Sequence, residues 1–374
     1  MMMISRFFIG LICLAVGLVV LHGTVKAKTD AQIMAEQLTP AAGYKVGVFY
    51  DKIANARVMA LTSRGDVLVS QPGYGQVQLI GVNKDTPSSS LSARVLVKGL
   101  DRPFGLAIDG NWLYIAEQRQ VVRYPFDANM RKVTGPVEIL FNGMPAGGHS
   151  TRTIAKGPDG WFYVSVGSSC NVCIERHKWR AAMLRFKPGQ PVEIYATGLR
   201  NTVGYDWHPK TQELFGSDHG RDWLGDDLPP GEINQIVQGG FYGWPFFYGA
   251  NVRDTKFGGN YSEKQYGKAI GTAHDMQAHV APLSLRFLKQ HKDSANDLAL
   301  VTQHGSWNHS GKVGYKVIQL AWDDQGKITQ SDFLTGFLKN GRTRGRPVDT
   351  LELPDGTVLV SDDYSGVIWK MTPQ

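Results

Sequence analysis

The chain has 374 residues, of which 43 are glycine, 10% are aromatic and 20% are charged. This composition excludes a disordered chain and indicates a turn-rich globular protein that can bury a sizeable core. The net charge is +7, but the basic residues are scattered and form no Lys/Arg run, so we expect no nucleic-acid partner.

The first residues of the chain are typical of an export signal. Arg6 supplies a positive charge, residues 7–21 are nearly all apolar, and Val25-Lys26-Ala27 offers small residues before a cleavage point. We therefore expect a signal peptide over residues 1–27, a mature domain over residues 28–374, and a periplasmic or secreted location. If the segment is not cleaved, it would act as a membrane anchor, although it is short for a spanning helix.

Short apolar runs that end in a small residue recur along the rest of the chain. Several of them follow a Gly-containing hairpin turn such as Pro158-Asp159-Gly160. The small residues that end the six runs are Ser70, Ala116, Ser165, Ser217, Thr302 and Ser361. They are separated by 46, 49, 52, 85 and 59 residues. Six strand repeats at about fifty-residue spacing predict an all-β fold, a six-bladed β-propeller, rather than a sandwich.

The long fourth interval and the two ends of the chain complete this prediction. The interval contains an additional Gly- and aromatic-rich segment, Asp254 to Asp275, which we expect as a long inserted loop between the fourth and fifth repeats, on the top face. Residues 28–69 and 362–374 together amount to about one further repeat, so we expect the two ends to share one blade.

Polar residues flank the repeated strands on both sides. The arginines that precede strands are Arg102, Arg152, Arg200, Arg344 and Arg346. The polar residues that follow strands are Gln71, Glu117, Asp218, Gln303, His304 and Asp362. Equivalent positions of successive blades face one another around a propeller channel, so we expect a ring of arginines that binds a ligand with several carboxylates or phosphates. The alternative interpretation is that these residues cap strand ends.

The segment Cys170-Asn171-Val172-Cys173 contains the two cysteines of the mature chain. Ile174 follows the second cysteine where haem attachment requires a histidine, and no second ligand pair has zinc-site spacing. In an oxidising compartment, we expect Cys170 and Cys173 to form a local disulfide that stiffens its loop.

Several motifs occur in an order that matches one known family. They are Gly148-His149-Ser150-Thr151-Arg152, Gly198-Leu199-Arg200-Asn201, Asp218-His219-Gly220, Gly240-Phe241-Tyr242-Gly243-Trp244-Pro245, His304-Gly305-Ser306-Trp307-Asn308 and Arg344-Gly345-Arg346-Pro347. Over nearly the whole mature chain, the sequence resembles the soluble PQQ-dependent sugar dehydrogenases, in particular the sorbosone dehydrogenase and aldose sugar dehydrogenase branch. The fold of that family is a six-bladed propeller.

The resemblance implies PQQ, a planar quinone with several carboxylates, and calcium as cofactors. By match to the family, Asn201 would contact the quinone edge. The residues that would bind the PQQ carboxylates are Lys312, Arg344 and Arg346. The calcium ion would be held by the backbone carbonyls of Gly220 and Arg221 and by PQQ itself.

The resemblance also implies two catalytic residues. His149 matches the general base that takes the proton from the anomeric hydroxyl of the sugar, a role that suits an imidazole. Arg200 would stabilise the negative charge that grows on the quinone oxygen as hydride arrives. Ser168 stands where the best-known members of the family have a carboxylate that orients this imidazole.

We therefore expect an exported PQQ- and calcium-dependent dehydrogenase that oxidises an aldose or related aldehyde and passes electrons to a periplasmic acceptor. Trp223, Trp244 and Tyr242 are candidates to stack on a sugar or to plug the core. One alternative is a calcium-dependent, lactonase-like hydrolase, and another is a non-catalytic propeller that binds a protein or glycan. The hydrolase requires these residues around one calcium ion: Glu117, Asn201, Asp218 and Asp362.

Overall fold

The structure, a computed structural model, describes residues 28–81, 91–291 and 296–374. The expected signal peptide over residues 1–27 lies outside the described residues. Among those that are described, no helix is both long and apolar enough to cross a membrane.

The polypeptide forms antiparallel sheets that follow one another along the chain. The N-terminal elements are α1 (Asp30–Ala35), β1 (Thr39–Pro40) and β2 (Tyr44–Tyr50). Blade 1 consists of β3 (Met59–Leu61), β4 (Val67–Gln71), β5 (Gln76–Gly81) and β6 (Ser92–Lys98). Blade 2 consists of β7 (Gly105–Asp109), β8 (Trp112–Ala116), β9 (Gln120–Asp127), β10 (Lys132–Val133) and β11 (Glu138–Asn142). Blade 3 consists of β12 (Ile154–Lys156), β13 (Phe162–Val166), β14 (Ala182–Phe186) and β15 (Glu193–Thr197).

The second half of the chain continues the same pattern. Blade 4 consists of β16 (Thr202–Trp207), β17 (Leu214–Asp218), β18 (Pro230–Ile236) and β21 (His274–Ala278), with β19 (Phe247–Tyr248), β20 (Val252–Arg253) and α2 (Glu263–Tyr266) inserted before β21. Blade 5 consists of β22 (Pro282–Phe287), β23 (Asp297–Gln303), β24 (Lys316–Trp322) and β25 (Ile328–Thr335), and β1 adds to its edge. A hairpin of β26 (Leu338–Lys339) and β27 (Arg342–Thr343) leads to blade 6, which consists of β28 (Pro347–Glu352), β29 (Val358–Asp362), β30 (Val367–Pro373) and β2.

This arrangement confirms the predicted six-bladed β-propeller and its inserted loop. Each of the six small residues of the repeat lies in the second strand of its blade, on β4, β8, β13, β17, β23 and β29. The two ends of the chain share blade 6, as expected, because β2 pairs with β30 with Val46 opposite Met371 and Val48 opposite Trp369.

The hydroxyl groups of the repeated small residues explain why serine and threonine recur there. Ser70 Oγ donates to the carbonyl of Phe104 at 2.7 Å, which joins blade 1 to blade 2. In the same way, Thr302 Oγ1 donates across to Val348 O at 2.7 Å, from blade 5 to blade 6. A small side chain lets neighbouring blades approach, and its hydroxyl then satisfies a backbone carbonyl at the junction.

The hydrophobic core is divided into clusters that lie mainly between neighbouring blades, and the cluster of blades 1 and 2 also includes Val203, Leu283 and Val348 from the first strands of blades 4, 5 and 6. Leu300 of blade 5 packs in one cluster with Val360 and Trp369 of blade 6. The next cluster joins Ile368 of blade 6 to Val67 of blade 1 and so closes the ring. Apolar side chains on both faces of every blade are buried away from water. The ring is therefore rigid around its channel, and the loops at the strand ends are held in fixed positions.

Candidate active site

A cavity of about 250 Å³ lies where the second strands of the blades end and the first strands begin. Blades 3, 4, 5 and 6 contribute its walls. The polar and aromatic side chains that line it include His149, Arg200, Asn201, His219, Asp222, His304, Trp307 and Arg346.

His149 lies in the loop before β12 and is positioned by the loop after β13. Its Nδ1 atom lies 2.8 Å from Ser168 Oγ and 3.1 Å from the Ser168 carbonyl oxygen. Because Ser168 Oγ donates its own proton to Cys170 O at 2.7 Å, both Ser168 atoms act as acceptors towards His149. The proton of a neutral imidazole therefore lies on Nδ1, and Nε2 keeps a free lone pair.

The environment of His149 also keeps its imidazole uncharged. Burial, followed by the positive charge of Arg200, lowers the pKa of His149 to about 4. At neutral pH the side chain is therefore a base that is ready to accept a proton at Nε2.

Two glycines allow the His149 loop to approach the neighbouring strand ends. Gly148 has φ +57°, and a Cβ atom there would lie 2.6 Å from the Ser168 carbonyl oxygen. A Cβ atom on Gly167 would lie 2.5 Å from Asn201 Oδ1 and 2.6 Å from His149 Cβ. A larger residue at position 148 would push the His149 loop away from Ser168, and one at position 167 would displace His149 and Asn201.

Arg200 is almost completely buried and is held from one side. Its Nε and Nη2 atoms donate to the backbone carbonyl and to Oδ1 of Asn171, each at 2.9 Å. Nη2 also lies 3.5 Å from a carboxylate oxygen of Asp222. The guanidinium is thereby fixed against the wall of the cavity, beside His149.

Asn201 follows Arg200 and offers an unused amide oxygen. Its backbone N–H donates to Asp218 Oδ1 at 2.6 Å, and Thr202 Oγ1 donates to the other oxygen of that carboxylate at 2.9 Å. Burial raises the pKa of Asp218. Asn201 Oδ1 is buried and has no hydrogen-bond partner among the described residues, so it is available to a ligand in the cavity.

Arg346 supplies a second positive charge from the opposite wall. Its Nε and Nη2 atoms donate to the backbone carbonyls of His304 and Gly305 at 3.1 and 3.2 Å. The His304 Nε2 atom lies 2.9 Å from Asp363 Oδ1, and burial lowers the pKa of His304 to about 4 in spite of that carboxylate. The imidazole is neutral, so it donates an N–H to Asp363.

The remaining residues predicted from the sequence lie at the edge of the cavity or outside its lining. Arg344 donates to the side-chain oxygen of Gln37, and Lys312 Nζ donates to Thr343 Oγ1 at 2.9 Å. Neither belongs to the residues that line the cavity. Gly220 does line it, whereas Arg221 lines a smaller adjoining pocket.

The arginines therefore do not form the expected ring. Arg200 and Arg346 alone among them line the cavity. Arg152 is fully buried, and its guanidinium donates to the carbonyls of Pro145, His149 and Thr151 within 2.9 Å, so it holds the His149 loop from behind. Arg102 lines a separate surface cavity near blade 1.

The acidic residues of the hydrolase alternative do not meet around one metal position. In the described part of the chain, the ligand atoms of Cys170, Cys173 and Glu175 form the one close group of three, and the two cysteines are bonded to each other in a disulfide. Asp218 and Asp362 instead accept hydrogen bonds from the backbone N–H groups of Asn201 and Arg346, which lie just before the first strands of blades 4 and 6. The structure thus gives the hydrolase no support, and strand-end capping is correct for these carboxylates.

Several residues that shape the site were not predicted from the sequence. His219 Nε2 lies 2.7 Å from the Pro282 carbonyl, and burial, with the charge of Arg200, lowers its pKa to about 3, so this imidazole is neutral too. Asn171, which holds Arg200, lies between two cysteines and was not recognised as a site residue. The one signal in the sequence that could have indicated it is the position of the short disulfide, directly after a repeated strand.

The lining suits an anion better than a neutral or cationic ligand. One cavity is lined by the cationic Arg200 and Arg346, by the neutral His149, and by Asn201, whose buried Oδ1 has no partner among the described residues. Such a set satisfies carboxylate and quinone oxygens together with a ring N–H. The residues present therefore fit PQQ, and the Gly220 backbone and the Asp222 carboxylate offer oxygen ligands of the kind that calcium prefers.

Comparison with known proteins points in the same direction. Residues 38–234 and 262–372 match the family model described as TrAA12-like. A protein of Borreliella burgdorferi that carries no functional name is 30% identical over 372 residues, which cover 93% of this chain and 95% of that protein.

Two fungal proteins are also similar. The pyrroloquinoline quinone-dependent pyranose dehydrogenase of Coprinopsis cinerea is 25% identical over 89% of this chain but over 54% of its own length, so the chain spans about half of it. The holo form of its PQQ domain superposes with a TM-score of 0.75, with 20% identity over 90% of this chain and 97% of that domain. The family AA12 enzyme of Trichoderma reesei gives 0.79, with 19% identity over 90% and 98% of the two chains. These matches confirm the resemblance that the motifs carry, and they support a PQQ-dependent oxidoreductase.

Proposed function

Because the chain belongs to the TrAA12-like family, we propose that it is a PQQ-dependent oxidoreductase that dehydrogenates an aldose or a related sugar. The observation that carries the proposal is the meeting of His149, Arg200 and Arg346 in one cavity. A neutral base with a free Nε2 lies there beside two fixed positive charges, which is what removal of a proton and a hydride from one carbinol requires.

Each residue has a distinct task in this proposal. When bound, PQQ supplies a quinone that accepts hydride from the anomeric carbon of the sugar. His149 Nε2 takes the proton of the anomeric hydroxyl, so that its C–O bond becomes a carbonyl. The guanidinium of Arg200 would stabilise the negative charge that develops on the hydride acceptor. Because the Asn171 acceptors already hold the guanidinium, it need not reorient during the reaction.

Binding of the cofactor uses the opposite side of the cavity. Arg346 would hold a carboxylate of PQQ, and Asn201 Oδ1 would accept a hydrogen bond from its edge. Arg344 and Lys312 remain candidates for PQQ carboxylates only if their side chains turn from Gln37 and Thr343 towards the cavity. Calcium would lie near the backbone carbonyls of Gly220 and Arg221 and act as a Lewis acid towards the quinone.

The rim of the cavity suggests how a sugar is received. Trp307 lines the cavity and is 68% exposed, and its ring packs edge-on against the 66% exposed ring of Trp223 at 5.5 Å. Exposed aromatic faces of this kind bind the apolar face of a pyranose. Trp244 and Tyr242 are buried, so we assign them to the core. We further propose export to the periplasm or outside the cell, with a periplasmic electron acceptor.

A steady-state assay tests this proposal. Purified protein is mixed with PQQ, calcium, a panel of aldoses and an acceptor dye, and dye reduction is followed with His149→Gln beside the wild type. We expect reduction that requires PQQ and falls at least about 100-fold in His149→Gln, the lower range for loss of a general base. His291→Gln, a change at an exposed histidine, serves as the matched control. If the protein bound an aldose in the absence of PQQ and reduced no dye under any condition, the non-catalytic propeller would be favoured.

A further inference from the structure

The disulfide loop between β13 and β14 is linked by hydrogen bonds to both residues assigned to the chemistry. Cys170 and Cys173 are bonded to each other, and only Asn171 and Val172 lie between them. The loop itself does not belong to the cavity lining. Its hydrogen bonds nevertheless reach Arg200 directly, and they reach His149 through Ser168.

The first of these contacts fixes the imidazole. The Cys170 carbonyl accepts the proton of Ser168 Oγ at 2.7 Å, and this bond turns the lone pair of Oγ towards His149 Nδ1 at 2.8 Å. If Cys170 O moved away, Ser168 Oγ could donate to Nδ1 instead, and the imidazole would become a mixture of the form with its proton on Nδ1, which the Ser168 carbonyl at 3.1 Å still accepts, and the form with its proton on Nε2. A histidine with its proton on Nε2 cannot act as the base in the cavity.

The second contact fixes the guanidinium. Asn171 presents two acceptors to Arg200, its backbone carbonyl to Nε and its Oδ1 to Nη2, each at 2.9 Å. The same amide group accepts from the N–H of Asp222 at 2.7 Å and donates to the Asp222 carbonyl at 3.1 Å. One side chain thus ties the loop of blade 3 to the loop of blade 4 and, together with the His219 carbonyl that accepts from Arg200 Nη1 at 3.3 Å, orients the guanidinium.

A short covalent ring explains how such a small loop can hold both groups. Ser169 adds to the restraint, since its N–H and Oγ donate to the two oxygens of Glu175 at 2.6 and 2.8 Å. Without the S–S bond, the loop would be retained by individual hydrogen bonds alone, each of which contributes little net stability, and its carbonyls would sample other directions.

We propose that the Cys170–Cys173 loop is a positioning device for the reaction. Asn171 is the positioning residue for Arg200, and the cross-linked Cys170 carbonyl holds His149 in the form with its proton on Nδ1. The catalytic consequence rests on the proposed function, whereas the positioning itself does not. The disulfide, expected from the sequence only to stiffen its loop, thereby acquires a role at the site.

The positioning is tested first in the cofactor-free protein by ¹⁵N NMR. In the wild type we expect a His149 imidazole protonated at Nδ1 and slowly exchanging Arg200 Nη2 protons. Combined Cys170→Ser and Cys173→Ser changes should give a mixture of His149 tautomers, and Asn171→Ala, which removes the Oδ1 acceptor, should speed exchange of the Arg200 Nη2 protons at least tenfold. Asn129→Ala, at an exposed turn, is the control and should change neither signal.

The second arm uses the loaded enzyme. We expect kcat to fall 10- to 100-fold in Asn171→Ala while the KM for sugar and the Kd for PQQ stay within threefold, and Asn171→Asp, which keeps an acceptor oxygen, to recover part of the rate. Variants that lower the melting temperature yet keep the NMR signals and kcat of the wild type would overturn the proposal, because the loop would then only stabilise the fold. A wild type with the expected NMR signals and no PQQ-dependent activity would instead refute the proposed function alone.

Discussion

Replacement of Arg346 by methionine should separate cofactor binding from folding. The guanidinium donates to the carbonyls of His304 and Gly305, so at those two contacts its positive charge is balanced by carbonyl dipoles and not by a carboxylate. A PQQ carboxylate would supply the missing negative charge. Truncation of one partner of such a pair costs about 2–4 kcal/mol, which corresponds to a Kd about 30- to 1,000-fold higher.

Arg344→Met provides the matched control for this experiment. Arg344 lies two residues away, but its side chain donates to Gln37 and does not line the cavity. We expect its Kd for PQQ to remain within threefold of the wild type. The Kd values can be measured by isothermal titration of PQQ with calcium present, after thermal melting has shown that both variants fold. An equal loss in the two variants, or a loss in Arg344→Met alone, would refute the assignment of the carboxylate contact to Arg346.

Three further predictions follow from the contacts of the cavity. Gly167→Ala should lower PQQ-dependent kcat at least about 100-fold, because its Cβ would collide with Asn201 and His149; normal kinetics would show that the loop can yield. Trp307→Ala should raise the KM for sugar about 3- to 10-fold, the value of one aromatic contact, with kcat within twofold; an unchanged KM would remove Trp307 from the sugar site. The pKa of His304 is lowered to about 4 by burial and is about 6.5 when unfolded, so the unfolded chain binds more protons in that window. The free energy of unfolding should therefore fall by up to about 3 kcal/mol as the pH drops from 7 to 4. In denaturant titrations, His304→Gln should lack this part of the pH dependence. The same pH dependence in wild type and variant would contradict the prediction.

The architecture was accessible from the sequence because its signal is repeated. Ser70 and Thr302, for example, occupy the same position of different blades and donate to the next blade in the same way. A turn glycine such as Gly160, with φ +77°, marks the hairpin before such a strand. A small residue that recurs in the second strand of all six blades leaves a spacing that can be recognised without any knowledge of the contacts.

The site was less accessible because its residues depend on contacts that occur once. Arg344 and Arg346 are equivalent as residue types, but Arg344 finds Gln37, which is 307 positions away in the sequence, and is thereby drawn away from the cavity. Arg152 was expected at the channel mouth, and it is buried against backbone carbonyls instead. Which way a side chain turns from a loop is decided by tertiary packing, and no spacing in the sequence reports it.

Asn171 illustrates the same limit in the opposite direction. Between two cysteines it had the properties of a spacer, and its bonds to Arg200 and Asp222 appear only when the loops of blades 3 and 4 are placed side by side. His149, in contrast, was identified through the family resemblance, in a motif that ends just before β12. Its place in the cavity was therefore predicted, whereas Asn171, which holds the neighbouring Arg200, was not.

The most direct test of the account is a single-turnover experiment on the loaded protein. Wild type and His149→Gln are saturated with PQQ and calcium and mixed anaerobically with an aldose that the steady-state panel identifies as a substrate, and reduction of the bound cofactor is followed by absorbance. We predict that both proteins bind PQQ and that reduction is at least about 100-fold slower in His149→Gln. Equal rates of reduction in the two proteins would contradict the central claim, because His149 Nε2 would then not be the base.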